Sequence, residues 1–312
     1  GTTTSIAALM ANKGSDGKIS LREAITAANN TANGPGGADR IVFGIAGSGV
    51  HTINPATALP AITQAVVIDA TTDDSFAANS YKPAIVLNGA SAGAGASGLH
   101  ITGGNSTVKG LVINGFGGYG IYLQTGGGNV ISGNHIGTNA AGTSASANNW
   151  GIVLDNSANN TIGGTNAADR NVISGNTSDG INIGGASTGN VIQGNYIGTN
   201  AAGTSAIGNG GYGIGIGSSN NLVGGTGANT GNLVSGNAGV GVGISAGTGI
   251  RILGNSIHSN GAIGIDLGTA GVTANDTGDG DSGANNLQNF PVLATARTDG
   301  TGQIIITGTL NS

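Results

Sequence analysis

A six-residue phrase (Asn, any residue, Ile or Val, two more residues, Asn) is written five times in this chain. It reads NHIGTN at Asn134–Asn139, NVISGN at Asn171–Asn176, NYIGTN at Asn195–Asn200, NLVSGN at Asn232–Asn237 and NSIHSN at Asn255–Asn260. The copies return at intervals of 37, 24, 37 and 23 residues, which denotes a structural repeat with loops of two lengths.

Two other phrases share the period. NVISG at Asn129, NTIGG at Asn160, NVIQG at Asn190, NLVGG at Asn221 and the variant IRILG at Ile250 precede the six-residue copies. GLHI at Gly98, GIYL at Gly120, GIVL at Gly151, GINI at Gly180, GIGI at Gly213, GVGI at Gly241 and GIDL at Gly264 follow them. Each unit thus holds three short strands: a Gly-strand, a first Asn-strand and a second Asn-strand. Alternation sends two apolar residues of each Gly-strand to one face. Ile121, Ile152, Ile181, Ile214, Val242 and Ile265 form one expected interior column, and Leu123, Leu154, Ile183, Ile216, Ile244 and Leu267 the next. Strands this short cannot hide an apolar face singly. Coiling the chain so that each strand pairs in parallel with its counterpart one turn on buries both columns and satisfies the backbone. The expected fold is all-β, a single-stranded parallel β-helix with three strands per turn.

The spacing also places loops. TNAADR at 165–170 and TGANTG at 226–231 separate the two Asn-strands in alternate turns, while AAGTSASANNW and AAGTSAIGNGGY precede the next Gly-strand in the others. Loops of one kind should emerge on every second turn, about 9.5 Å apart. Amides stacked in register should form Asn ladders. Ser20 before LREAITAA, with Glu23 three residues on, reads as a capping box opening an amphipathic helix on which Leu21, Ala24, Ile25 and Ala28 share a face. That helix is suited to plug the N-terminal end of the coil. DRIVFGI at Asp39–Ile45, AVVIDA at Ala65–Ala70 and AIVLNG at Ala84–Gly89 read as irregular first turns. The whole chain, 1–312, is expected to form one domain: cap and irregular turns in 1–97, regular turns in 98–267, and an irregular end in 268–312, cut from a longer protein.

These motifs carry a resemblance. The repeats resemble right-handed parallel β-helices of the pectate-lyase-like superfamily, and SLREAITAAN at Ser20–Asn29 is similar to the opening signature of CSLREA-type domains in bacterial and archaeal surface proteins. NDTGDGDSGANNLQNFPVL from Asn275 to Leu293 resembles the end of such units. Ser20 stands where that family often has Cys. The resemblance implies a right-handed coil and an extracellular or cell-surface location. It leaves the activity open, because the superfamily hosts lyases, hydrolases, epimerases, adhesins and toxins.

Composition narrows the functions. Only 7% of residues are charged and the net charge is −5, so there is no basic patch for nucleic acid. With no Cys, thiolate chemistry and disulfides are excluded. No run of 18 apolar residues appears, so direct membrane insertion is not expected. The residue before each Gly-strand is Tyr119, Trp150, Asp179, Tyr212, Val240 or Ile263, which puts three of the chain's ten aromatics (one Trp, five Tyr, four Phe) in one column. Tyr122 and Asn182 lie beside it on the outward row. Sugar rings stack on aromatic faces, so Tyr119, Tyr122, Trp150, Asn182, Tyr196 and Tyr212 are candidate ligand-binding residues for a polysaccharide or cell-surface glycan; the alternative is that the rings only shield corners of the coil.

Catalytic candidates are sparse. His135 and Tyr196 occupy equivalent positions, with His258 in a third copy, and Asp155 and Asp179 lie in adjacent turns on different sides of the Gly-strand. Glycoside hydrolysis needs two carboxyls within about 5–10 Å, and Lys109, Arg170 and Arg251 are too isolated to serve a lyase. No cofactor is required by the sequence. Asp276, Asp279 and Asp281 supply alternate oxygens suited to Ca²⁺, without the full twelve-residue loop and its terminal Glu. The sequence therefore favours a non-enzymatic stalk or adhesive module, with a polysaccharide lyase, hydrolase or epimerase, and a self-assembling surface protein, as alternatives.

Overall fold

The computed structural model describes residues 1–80 and 82–311. The chain winds as a right-handed parallel β-helix with three sheets of eight, eight and seven strands, the hand expected of parallel crossovers. Within one turn the Gly-strand Tyr119–Gln124 leads to the first Asn-strand Val130–Ser132 and the second, His135–Ile136. Each pairs in parallel with its counterpart one turn on.

The interior columns follow the alternation of the Gly-strands. Ile121, Ile152, Ile181, Ile214 and Val242 have no exposed surface, and Leu123, Leu154, Ile183, Ile216 and Ile244 next to none. The sixth members depart from expectation: Ile265 is 43% exposed and Leu267 only partly buried. Their strand is the last of its sheet, so no further strand of that sheet stacks beyond it.

Three Asn ladders run along the corners. Asn134, Asn171, Asn195, Asn232 and Asn255 form one, each of the first four donating from its backbone N–H and its Nδ2 to the next Oδ1. Asn129, Asn160, Asn190 and Asn221 form another. The third corrects the register of the six-residue phrase. Its members are Asn148, Asn176, Asn209, Asn237 and Asn260, so the last Asn of the phrase enters the ladder in three copies only. In the long-loop turns Asn139 and Asn200 stay outside and cap their own loops, accepting from Thr143 and Ser144 and from Thr204 and Ser205. The ladder position falls to Asn148 and Asn209 after the loop. The two long loops also lean together, with Ala201 N–H donating to Gly142 O at 2.9 Å.

Glycine at the head of each Gly-strand makes room for this ladder. A Cβ on Gly151 would meet the Gly180 carbonyl oxygen, Ile173 Cγ2 at 2.8 Å and the ladder amide Asn176 Nδ2 at 3.1 Å. No side chain fits there without displacing backbone.

Helix α2 (Leu21–Asn29) carries the capping box and buries Leu21, Ile25, Ala27 and Ala28. It covers the N-terminal end of the core as expected, against Ile41 and Phe43. A short helix α1 (Ile6–Ala11) precedes it and another, α3 (Asp74–Ala78), follows; the sequence pattern gave no sign of either. The irregular early segments already belong to the sheets. Asp39–Val42 pairs with Val66–Asp69, and Ile85–Asn88 pairs with Leu111–Asn114 and with the unforeseen strand His51–Ile53.

At the other end, IRILG lacks its leading Asn, and Asn285 supplies the amide from outside. Ile250 N–H donates to Asn285 Oδ1, and Asn285 Nδ2 donates to Ile250 O. Beyond it, Ile304–Thr309 pairs antiparallel with Val292–Thr298 in an exposed hairpin.

Candidate functional site

The outward face of the Gly-strand sheet carries a cluster of aromatic and polar side chains. Alternation points residue 122 of Tyr119–Gln124 away from the core, and the pairing sets it in one row with His100, Val153, Asn182, Gly215, Gly243 and Asp266. A second row, at the strand entrances, places Tyr119 directly against Trp150. Asp179 and Tyr212 continue it, their carbonyls accepting from Gly151 and Gly180.

Two groups form on this face. In the first, the His100 and Tyr122 rings stack with centroids 4.8 Å apart, and Tyr119 tilts against Tyr122 at 4.7 Å. Tyr122 Oη donates to Asp155 Oδ2 at 2.9 Å, His100 Nε2 lies 3.0 Å from Gln124 Oε1, and Gln124 Nε2 is 3.4 Å from the same Asp155 oxygen. Burial, together with the Asp155 carboxylate, pushes the Tyr122 hydroxyl up to about 12, so the ring keeps its proton. Asp155 Oδ1 accepts from Asn156 Nδ2, which ties both oxygens.

In the second group, Tyr212 N–H donates to Asp179 Oδ1 at 2.8 Å and Asn182 Nδ2 to Asp179 Oδ2 at 3.2 Å. Burial raises the Asp179 carboxyl above its ordinary range against the pull of these two donors. The Tyr212 ring lies over a floor of glycine: a Cβ on Gly243 would stand 3.0 Å from its Cε2, and one on Gly215 3.6 Å from its Cδ2. A side chain at Gly243 would crowd the ring, while one at Gly215 would meet it at ordinary contact distance.

Of the sequence candidates, Tyr119, Tyr122, Trp150, Asn182 and Tyr212 share this face, as do Asp155 and Asp179. Asp155 pairs with Gly184, five residues after Asp179, so the two carboxylates are offset by about 16 Å along the strand. That exceeds the ~5–10 Å of a glycosidase pair. His100 and Gln124 escaped the sequence reading. GLHI does put His100 at the outward position that GIYL gives Tyr122, so the signal was present.

The other candidates lie elsewhere. His135 and Tyr196 stand in one row of the second Asn-strand sheet with Val172 between them. His258 is a correction: the position equivalent to His135 in its turn is Ser256, and His258 aligns with Ser235 instead. Each long loop folds over one of these rings, since a Cβ on Gly142 would meet His135 and one on Gly203 would meet Tyr196. His135 is 5% exposed, its Nδ1 lies 3.2 Å from Ala140 O, and burial holds its imidazole down to about 4. Arg170 covers the other side of Tyr196, with the guanidinium carbon 4.2 Å from the ring centre. Both rings thus prop loops and lie on a different sheet from the aromatic face.

The acidic stretch forms a tied turn. Asp276 Oδ2 accepts from Gly280 N–H and Asp279 Oδ1 from Asn289 N–H. Asn289 Nδ2 bonds back to the Asp276 backbone and carboxylate. Among the described residues no three His, Cys, Asp or Glu side chains converge as a metal cluster. Asn289 holds the turn that carries Asp276 and Asp279.

No family model and no curated protein matches the chain. Among solved structures it is similar to the Dettilon tailspike protein (gp208), with 15% identity, a TM-score of 0.35, and coverage of 73% of this chain and 52% of that one. The chain spans about half of the tailspike's length. Among the described residues no helix is long and apolar enough to cross a membrane.

Proposed function

We propose that this chain is an extracellular, non-enzymatic β-helix module, a rigid stalk that contacts polysaccharide through the outward face of its Gly-strand sheet. The observation that carries the reading is the ring cluster of His100, Tyr119 and Tyr122, locked by the Tyr122–Asp155 hydrogen bond beside Trp150. Rings held this way lose little freedom when a sugar stacks on them. Strands repeat about every 4.8 Å along the coil, so successive turns offer contacts to successive sugars of a chain lying along the axis. Hydroxyl partners are at hand in Gln124, Asp155, Asp179 and Asn182. Two anchored carboxylates too far apart to cooperate suit holding better than cleaving.

The test is a glycan array read with the parent chain and with Trp150→Ala and Tyr122→Ala. Specific binding by the parent that drops at least about tenfold in either variant, with circular dichroism unchanged, is expected. Absence of any bound glycan, or variants indistinguishable from the parent, would remove the adhesive role and leave a scaffold. Incubation with polysaccharides followed by product chromatography addresses the enzymatic alternative, for which new reducing or unsaturated ends are the signature.

A second reading, self-association, draws on the last turn, where Ile265 is 43% exposed although its counterparts are buried. Concentration-dependent sedimentation that disappears in Ile265→Asn would favour it.

A further inference from the structure

We infer that this face selects glycans by charge, taking neutral or amine-bearing chains and rejecting uronates and sulfated or phosphorylated sugars. The inference rests on the glycan-binding reading of the same face and concerns what chemistry the face admits.

Formal charge is distributed unevenly along the coil. From Gly110 to Ala296 the sequence contains two cationic side chains, Arg170 and Arg251, and neither reaches the Gly-strand sheet. Arg170 follows a loop between Asn-strands, where its guanidinium covers Tyr196 and its Nε donates to Gly194 O. Arg251 opens the strand Arg251–Leu253 of the first Asn-strand sheet. All seven strands of the Gly-strand sheet lack Lys and Arg.

The same face bears anions. Asp155 lies within the first aromatic group and Asp179 at the foot of Tyr212. Asp266 ends the outward row and is 95% removed from solvent, with its Oδ1 lacking any hydrogen-bond partner. His100 is the one group here that could become a cation, and it sits against the Gln124 amide oxygen, at the opposite end of the face from Asp266. A uronate or sulfate laid along the rings would therefore bring its charge to carboxylates with no guanidinium or ammonium to receive it. Proteins that recognise such groups supply bidentate Arg or Lys for them. Hydroxyl, amide and ammonium groups of a sugar are donors, and Asp155 and Asp179 are acceptors of the matching kind.

The rings set where a chain lies and the carboxylates set which chain may lie there. An N-acetylated sugar would present its amide N–H and a free amino sugar its ammonium. The ammonium gains more at low salt, because the acids are partly exposed and their field is screened within a Debye length of ~30 Å at about 10 mM salt but ~3 Å at about 1 M.

The experiment sorts a glycan array by charge class and reads it with the parent chain, Asp155→Asn, and Asp155→Asn with Asp179→Asn, at about 10 mM and about 1 M salt. Bound glycans are expected to be neutral or amine-bearing, with amine-bearing members losing several-fold at high salt while neutral ones change little. Anionic glycans are expected at background with the parent and about tenfold above it with the double variant. Uronates or sulfated glycans bound by the parent as well as neutral ones would overturn the charge rule. So would a double variant that is folded by circular dichroism and binds neutral glycans but gains nothing for anionic ones. Asp155→Asn carries the comparison should the double variant fail to fold. An array empty for every class sinks the glycan-binding reading itself, a result separate from binding of the wrong class.

Discussion

Asn139 and Asn148 offer the sharpest test of how the repeat is built, because the sequence phrase and the ladder disagree about which of them matters. Asn139 closes the phrase NHIGTN, just as Asn176 closes NVISGN. Asn148 belongs to no phrase at all. Yet Asn148 is fully buried. Its Oδ1 accepts from Phe116 N–H at 3.1 Å, and its Nδ2 donates to Ile113 O at 3.0 Å and Asn176 Oδ1 at 3.1 Å. In Asn148→Ala the Ile113 carbonyl keeps a donor in Gly137 N–H. The Phe116 N–H and the Asn176 Oδ1 lose the only partners they have among the described residues. Each buried orphan costs ~1–3 kcal/mol, so about 3–4 kcal/mol is expected for the pair, before any cavity term. The Asn139 amide is solvated, and its loop contacts with Thr143 and Ser144 resemble a cap, worth ~1 kcal/mol or less.

Urea unfolding followed by circular dichroism measures both variants, and hydrogen exchange at the Phe116 amide reports the site directly. Because a coil of repeats can open locally, the exchange measurement separates a loosened rung from global loss. Expected are a Phe116 amide exchanging ~10²-fold faster or more in Asn148→Ala, from the same ~3 kcal/mol, and almost no change in Asn139→Ala. Equal effects, or a larger one at Asn139, would refute the ladder as the element that holds the third corner.

Other expectations follow from individual environments. His135 takes up a proton at about 4 in the fold against 6.5 for the ordinary group, so the unfolded chain binds more protons between those values. Stability should fall by about 3 kcal/mol as pH drops from 6.5 to 4; His135→Phe should flatten that limb, and an acid dependence unchanged in the variant would count against burial as its cause. Tyr122, held at about 12 against the usual 10, is protonated longer in the folded state, so its contribution is complete below 10 and disappears as pH rises through 12; absorbance titration should show one late tyrosine that ionises earlier in Asp155→Asn. Gly151→Ala should destabilise the coil by ~1–3 kcal/mol through overpacking, since its Cβ would stand 2.8 Å from Ile173 Cγ2; thermal unfolding checks this, and a neutral result would show that the corner can yield.

The coil was legible because its strands are written as periods of two, and a period of two commits each side chain to a face. Gly-Ile-x-Leu left no alternative for Ile152 and Leu154, and the Ser20–Glu23 pair marked the start of α2 by its spacing of three alone. What escaped are decisions made between turns. The swap of Asn148 for Asn139 depends on how a loop leaves and re-enters the corner, which spacing does not encode. The short helices α1 and α3 lack a periodic apolar face long enough to read. His258 shares the phrase with His135 but not the row, because it is the fourth residue of its copy and His135 the second.

The face itself was half legible for the same reason. Its members come from separate turns: His100, Tyr122 and Asp155 are 22 and 33 residues apart, and only the pairing of His100 with Tyr122 and of Gln124 with Asp155 draws them together. A linear search for catalytic motifs passes over such a group, since no two of its side chains are neighbours in sequence. In a parallel coil, adjacency in space is adjacency in register, and a functional surface is found by reading down a column. Read that way, the outward row from His100 to Asp266 passes from rings to amide to bare glycine to a buried carboxylate. A glycan lying along it would meet stacking surface near His100 and Tyr122, and the Tyr212 ring over its glycine floor with Asp179 beside it. The interior columns repeat nearly unchanged from turn to turn while this row, which alone brings two stacked rings together with its neighbour Tyr119, does not, and that difference is the reason to propose function on it.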